Sequence, residues 1–168
     1  SLTPAALAFV NADDADTAGI TASAASPMHT TETGTPLSTF TVELDSEPTA
    51  DVTIDVVSSN TDEITVDPTQ LTFTAADWDV AQTVTATGVN DDVDDDDQVV
   101  NVSLTVTSND AKYDGTALDD RILLNDDDDT AGITVTPTSG LTTDETGATA
   151  VFSVQLDSEP TADVTIPV

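Results

Sequence analysis

The chain has 168 residues, of which 33 are acidic and 2 basic, for a net charge of −31. With only Lys112 and Arg121 to neutralise phosphates, a nucleic-acid surface is excluded. Anionic lipid is disfavoured, and the lack of cysteine removes disulfides, thiolate chemistry and Cys-based zinc or iron–sulfur sites.

No apolar run approaches the roughly 20 residues of a membrane span, so membrane insertion is not expected. The chain opens on Ser1 and reads as an acidic piece of a longer soluble protein. Disorder is the first alternative at this charge. It is set aside by strict alternation, as in Phe40, Val42 and Leu44 separated by Thr41 and Glu43. Period two with Val, Ile and Thr marks half-buried strands.

In chain order the expected strands are Ile20–Ala25, Ser38–Leu44, Val52–Ser58, Ile64–Val66, Leu71–Thr74, Gln82–Val89, Val99–Thr107 and Arg121–Asn125. Turn residues separate them: Ser46-Glu47-Pro48, Asp67-Pro68, the acidic run after Asn90, and Asp114-Gly115. Ser26 to Thr31, with the single histidine His29, reads as a polar loop. Seven or eight short strands in about 100 residues give an all-β, immunoglobulin-like antiparallel sandwich.

An internal repeat organises the chain. Asp16-Thr17-Ala18-Gly19-Ile20-Thr21 returns as Asp129-Thr130-Ala131-Gly132-Ile133-Thr134, and Glu32-Thr33-Gly34 as Glu145-Thr146-Gly147. The run Leu44 to Ile54 returns unchanged as Leu156 to Ile166. Residues 1–15 are therefore read as the tail of a preceding unit, with Leu7, Phe9 and Val10 as its closing strand. Residues 16–128 are read as one complete unit and 129–168 as the first part of the next. The partial units are expected to be covered by neighbouring repeats of the same chain or by copies in a fibre.

Leu71-Thr72-Phe73-Thr74-Ala75-Ala76-Asp77-Trp78, followed by Gln82 to Val89 and an Asp run, resembles the Calx-β repeat. It is most similar to the tandem Calx-β-like repeats of large bacterial cell-surface and adhesin-type proteins. The resemblance implies a sandwich used as a calcium-binding extracellular spacer.

Carboxylates are the only abundant ionisable groups. Asn90 to Gln98 holds six aspartates between two strands, and Asp126-Asp127-Asp128-Asp129 closes the unit. Ca²⁺ takes six to eight oxygens at about 2.3–2.6 Å, which clustered Asp supplies. In a sandwich these runs and the loops around Glu32 and around Asp62 and Glu63 are expected to meet at one end. The resemblance assigns Ca²⁺ ligands to Glu32, to Asp91, Asp92, Asp94, Asp95, Asp96 and Asp97, and to Asp126, Asp127 and Asp128, with Asp62 matched loosely. An EF-hand is excluded, since from Asp92 the sixth and twelfth loop positions are Asp97 and Ser103 rather than Gly and Glu.

Other features have plainer readings. His29 reads as a solvated loop histidine, and a sugar-cleaving carboxylate pair lacks the aromatics of a glycan cleft, so no enzymatic activity is expected. Trp78 reads as a hairpin plug, and the rows Thr83, Thr85, Thr87 and Thr134, Thr136, Thr138 as solvated strand faces. Asn101-Val102-Ser103 is a glycosylation sequon on an outer face. The expected role is a calcium-stiffened structural repeat of an extracellular fibre, adhesin stalk or matrix protein. A glycan- or ligand-binding adhesion module and an S-layer-like self-assembling surface protein are the alternatives.

Overall fold

The computed structural model describes residues 16–23 and 28–167; the closing strand expected around Leu7, Phe9 and Val10 lies outside them. All eleven elements among these residues are strands: β1 (Ile20–Ala22), β2 (Met28–Thr31), β3 (Ser38–Leu44), β4 (Val52–Ser58), β5 (Ile64–Asp67), β6 (Gln70–Phe73), β7 (Gln82–Gly88), β8 (Gln98–Ser108), β9 (Arg121–Asp126), β10 (Ile133–Thr136) and β11 (Ser153–Leu156). No helix among them is long and apolar enough to cross a membrane.

Nine strands make a β-sandwich, one sheet ordered β1-β3-β7-β5 and the other β2-β9-β8-β4-β6. Between the sheets lie Phe40, Val42, Val52, Ile54, Val56, Ile64, Leu71, Phe73, Val84, Val100, Val102 and Leu123, all essentially closed to water. They are the inward halves of the alternating runs: β3 and β7 show burial at every second residue, and so does most of β8. Burying each such side chain contributes about 1.5–3 kcal/mol. Trp78 is partly buried against this core, and its carbonyl accepts the Leu44 N–H, as suits a hairpin plug.

The sandwich departs from expectation at β2. From sequence, Met28 to Thr31 reads as a polar loop because Met28 is its sole strongly apolar residue. Yet Met28 and Thr30 turn inward, and the strand pairs in parallel with β9, Met28 opposite Leu123 and Thr31 opposite Asp126. The sandwich is thus not wholly antiparallel, and the extra strand takes the number from seven or eight to nine. β1, expected to run to Ala25, ends at Ala22.

Strand registers define two ends. Gly88 opposes Ile64, Ala86 opposes Ser38, and Gln98 opposes Asn125, so the acidic loop, the start of β3 and the end of β9 share one end. At the other, Val52 opposes Ser108 and Ile20 opposes Leu44. There the buried Tyr113 hydroxyl donates to the Ser46 carbonyl at 2.6 Å. Asp110 accepts the Thr49 and Lys112 N–H groups at 2.8 and 2.9 Å, which holds its carboxyl below the usual carboxylate range.

The third sheet is the hairpin β10–β11, with Ile133 opposite Leu156 and Val135 opposite Val154. This repeats the β1–β3 register, Ile20 opposite Leu44 and Ala22 opposite Val42. In both places a glycine lies against an aspartate side chain that a larger residue would displace. A Cβ on Gly19 would collide with the Asp45 carboxylate, and one on Gly132 with that of Asp157.

Candidate metal centre

Glu32 leaves the end of β2 and takes its position from the parallel pairing. Its N–H donates to the Asp126 carbonyl at 3.2 Å, continuing the β2–β9 ladder by one bond. The residue is 2% exposed, and its Oε2 has no hydrogen-bond partner. A buried carboxylate oxygen left unpaired is costly. Burial, and then the charges of Asp91, Asp127, Glu63 and Asp95, push the Glu32 carboxyl from 4.5 up to about 7.

Oxygens of Glu32, Asp127 and Asp129 lie within 4.8 Å of one another. Two ligands of one Ca²⁺ are separated by no more than about 5 Å, twice the bond length, so this spread fits that ion. Asp127 is fixed by three backbone donors: Asp95 and Asp96 N–H to Oδ2 at 3.1 and 2.9 Å, and Asp129 N–H to Oδ1 at 2.8 Å. Of its roughly four acceptor positions, one remains for a further ligand. Asp97 accepts the Asp127 N–H at 3.2 Å, so the acidic loop and the end of β9 are tied in both directions. Asp96 takes a positive φ of 62° there, a conformation Asp tolerates better than most residues.

Beneath the cluster lies a polar layer. Thr30 donates to Asn125 Oδ1 at 3.0 Å, and Asn125 Nδ2 donates to Glu63 Oε2 at 3.2 Å. All three residues are buried. Gly88 is needed beside them, because a Cβ would collide with the Thr31 carbonyl and the Asn125 side chain.

The expected ligands divide. Glu32 and Asp127 are in the cluster, while Asp91 and Asp95 act on Glu32 through their charge. Asp95 Oδ1 is buried and also without a partner. Asp94 accepts the Ala131 N–H at 2.6 Å, and the Asp92 carbonyl accepts the Glu159 N–H at 2.6 Å. Asp126 pairs with His29 at 3.3 Å on the surface, and Asp128 is exposed. Asp62 is exposed with its N–H on Asn60 Oδ1; the side chain facing the site is that of its neighbour Glu63. Both residues lie in the turn that leads into β5, which starts at Ile64, and that turn buries Glu63 and leaves Asp62 exposed.

Asp129 is the member of the cluster that sequence reasoning misses. In the repeat it falls in the next unit, as the first residue of the recurring motif. The unbroken run Asp126 to Asp129 was the available signal. Burial and then Asp128, Asp92, Asp127 and Asp91 raise its carboxyl above the usual value.

Comparison with known proteins adds little. The chain matches no protein-family model and no curated protein. A solved structure described as WR4, a C. elegans MSP family member, is similar with a TM-score of 0.41 and 14% identity. The likeness covers 67% of this chain and 98% of that one. A likeness that loose says nothing about function.

Proposed function

We propose that this chain is a calcium-stiffened structural repeat of an extracellular fibre, adhesin stalk or matrix protein. The single observation that carries the reading is Glu32, a carboxylate closed to water, with one oxygen unpartnered and with carboxylate oxygens of Asp127 and Asp129 within 4.8 Å of its own. Acid-rich loops alone are common on soluble surfaces, but a solvated loop does not bury an unpaired carboxylate, which needs a cation or a proton. Glu32, Asp127 and Asp129 hold the ion, and Asp91, Asp95 and Glu63 add negative potential around it. A flexible all-oxygen basin suits Ca²⁺ better than Mg²⁺, which demands a tighter octahedron and dehydrates reluctantly.

The ion would tie the end of β2 to the end of β9, which Asp127 already joins to the acidic loop by hydrogen bonds, so that three segments remote in sequence are held together. Their crosslinking resists opening of that end, which is a mechanical role and needs no substrate. The near-verbatim repeat and the Calx-β-like motifs favour a spacer over a recognition tip, which is usually a unique sequence. Calcium titration by calorimetry, with melting curves in chelator and in millimolar Ca²⁺, tests the reading. A saturable site with a melting point raised more by Ca²⁺ than by Mg²⁺ is expected. Identical melting curves in the two conditions would remove the proposal.

A further inference from the structure

Three buried side chains of the sandwich, outside the cluster of Glu32, Asp127 and Asp129, stand in a chemically ordered row: a hydroxyl, a carboxamide and a carboxylate. Thr30 is 0% exposed, Asn125 1% and Glu63 6%. Thr30 and Asn125 are direct neighbours in the parallel β2–β9 ladder. The Thr30 hydroxyl donates to Asn125 Oδ1 at 3.0 Å, and Asn125 Nδ2 donates to Glu63 Oε2 at 3.2 Å. The amide cannot face the other way, because Nδ2 also meets the Val89 carbonyl at 3.4 Å, where only a donor is tolerated. Behind it the backbone at Gly88 comes so close that a Cβ there would collide with Oδ1.

Such a row places a nucleophile, an acyl carbon and a base in order. A C=O bond is about 1.2 Å long, so the Thr30 oxygen, 3.0 Å from Oδ1, stands at most about 4.2 Å from Asn125 Cγ. Reacting atoms need roughly 3–3.5 Å, and rotation about the side-chain bonds of Thr30 or Asn125 spans the difference. Burial keeps water from competing with the hydroxyl and from hydrolysing the product.

We infer that Thr30 and Asn125 join in an intramolecular ester, a self-formed cross-link between β2 and β9. Thr30 Oγ1 attacks Asn125 Cγ, and its proton passes along the existing hydrogen bond to Oδ1. The Glu63 carboxylate, already at Nδ2, takes that proton from Oδ1 and delivers it to Nδ2. The Cγ–Nδ2 bond then breaks, ammonia leaves, the carbonyl re-forms and Glu63 is again a carboxylate. One C–O bond replaces one C–N bond, and nothing is oxidised or reduced. Between free molecules the exchange of amide for ester is unfavourable. Here it is offset by positioning, which reaches effective molarities on the order of 10⁵ M or more, and by the escape of ammonia, which makes the step one-way.

β2 has only four residues, and the bond fixes it to a strand 95 positions away. A pull on the two ends of the unit then passes from β2 straight to β9 and bypasses β3 to β8. The repeat retains the nucleophile: Leu141, Thr142, Thr143 and Asp144 stand where the first copy has Met28, His29, Thr30 and Thr31, and Thr30 alone is unchanged. The inference does not rest on cation binding.

Intact mass spectrometry of the full chain, incubated in chelator and in Ca²⁺, tests it. The expected mass is that of the sequence less one ammonia, in both conditions, with fragmentation joining the peptide that holds Thr30 to the one that holds Asn125. Thr30→Ser should retain the loss, Thr30→Val should abolish it, and Glu63→Gln should slow it by on the order of a hundredfold. A natural chain that keeps its full mass after prolonged incubation overturns the proposal. So does a loss that persists in Thr30→Val, which would be cyclisation of Asn125 onto the Asp126 N–H, or one that proceeds at the natural rate in Glu63→Gln. A loss seen in chelator stands whatever becomes of the metal centre.

Discussion

Replacing Glu32 with glutamine should stabilise the metal-free protein and abolish its response to calcium. The carboxyl's value is raised by burial, so protonation favours the fold. That contribution is complete below about 4.5 and is lost as the pH rises through about 7. At pH 8 without metal, the fold therefore carries a buried charge facing Asp127 and Asp129. At full value the rise corresponds to about 3 kcal/mol, and water at the rim of the site reduces this to about 1–2 kcal/mol. For a sandwich of this size, that is about 4–8 °C in melting temperature. Glu32→Gln keeps the shape and removes the charge, so at pH 8 in chelator it should melt that much higher than the natural chain. Near pH 4.5 or below the two should coincide, since the carboxyl is then protonated. In Ca²⁺ the order reverses. A hundredfold excess over Kd adds about 2.7 kcal/mol to the natural protein, roughly 10 °C, and little to the variant. Calorimetric melts at the two pH values, each with chelator and with Ca²⁺, read all four cases. A variant that melts lower than the natural chain at pH 8 in chelator would refute the reasoning, as would one that gains as much from Ca²⁺.

Three further predictions follow from the geometry. Asp127→Asn should weaken calcium binding far more than Asp62→Asn or the pair Asp45→Asn and Asp51→Asn, measured by calorimetry; equal effects would mean diffuse counterion attraction. Gly88→Ala forces a methyl group against the Thr31 carbonyl and Asn125, which should cost about 1–3 kcal/mol in denaturant melts and loosen β2 from β9. Unchanged stability together with unchanged exchange at 28–31 would contradict that account. Tyr113→Phe leaves the Ser46 carbonyl without its donor and should cost about 1–3 kcal/mol while leaving calcium affinity unaltered, since Tyr113 sits at the other end of the sandwich. A fall in calcium affinity in this variant would show that the two ends are coupled.

Fold class and most strands are legible in the residue order. Alternation at period two writes the buried face directly into the residue order, so β3, β4, β7 and β8 are legible within a residue or two. The repeat was equally legible, because identity from Leu44 to Ile54 needs no structure to be seen. So was the chemistry of the candidate site, since this chain has no other abundant ionisable group.

Tertiary structure alone decided which carboxylates meet. β2 carries no alternating apolar run, and its existence depends on a parallel partner almost a hundred residues away. The same dependence explains why Glu32 is buried while Glu145, in the same Glu-Thr-Gly context, is exposed. The choice of Glu63 over Asp62 depends on the course of the turn before β5, and the inclusion of Asp129 on where the backbone goes after β9. Residue type is a local property and can be read from the chain. Convergence of remote groups depends on strand pairings whose partners lie far off in sequence, and identical segments follow different courses when one of them lacks those partners.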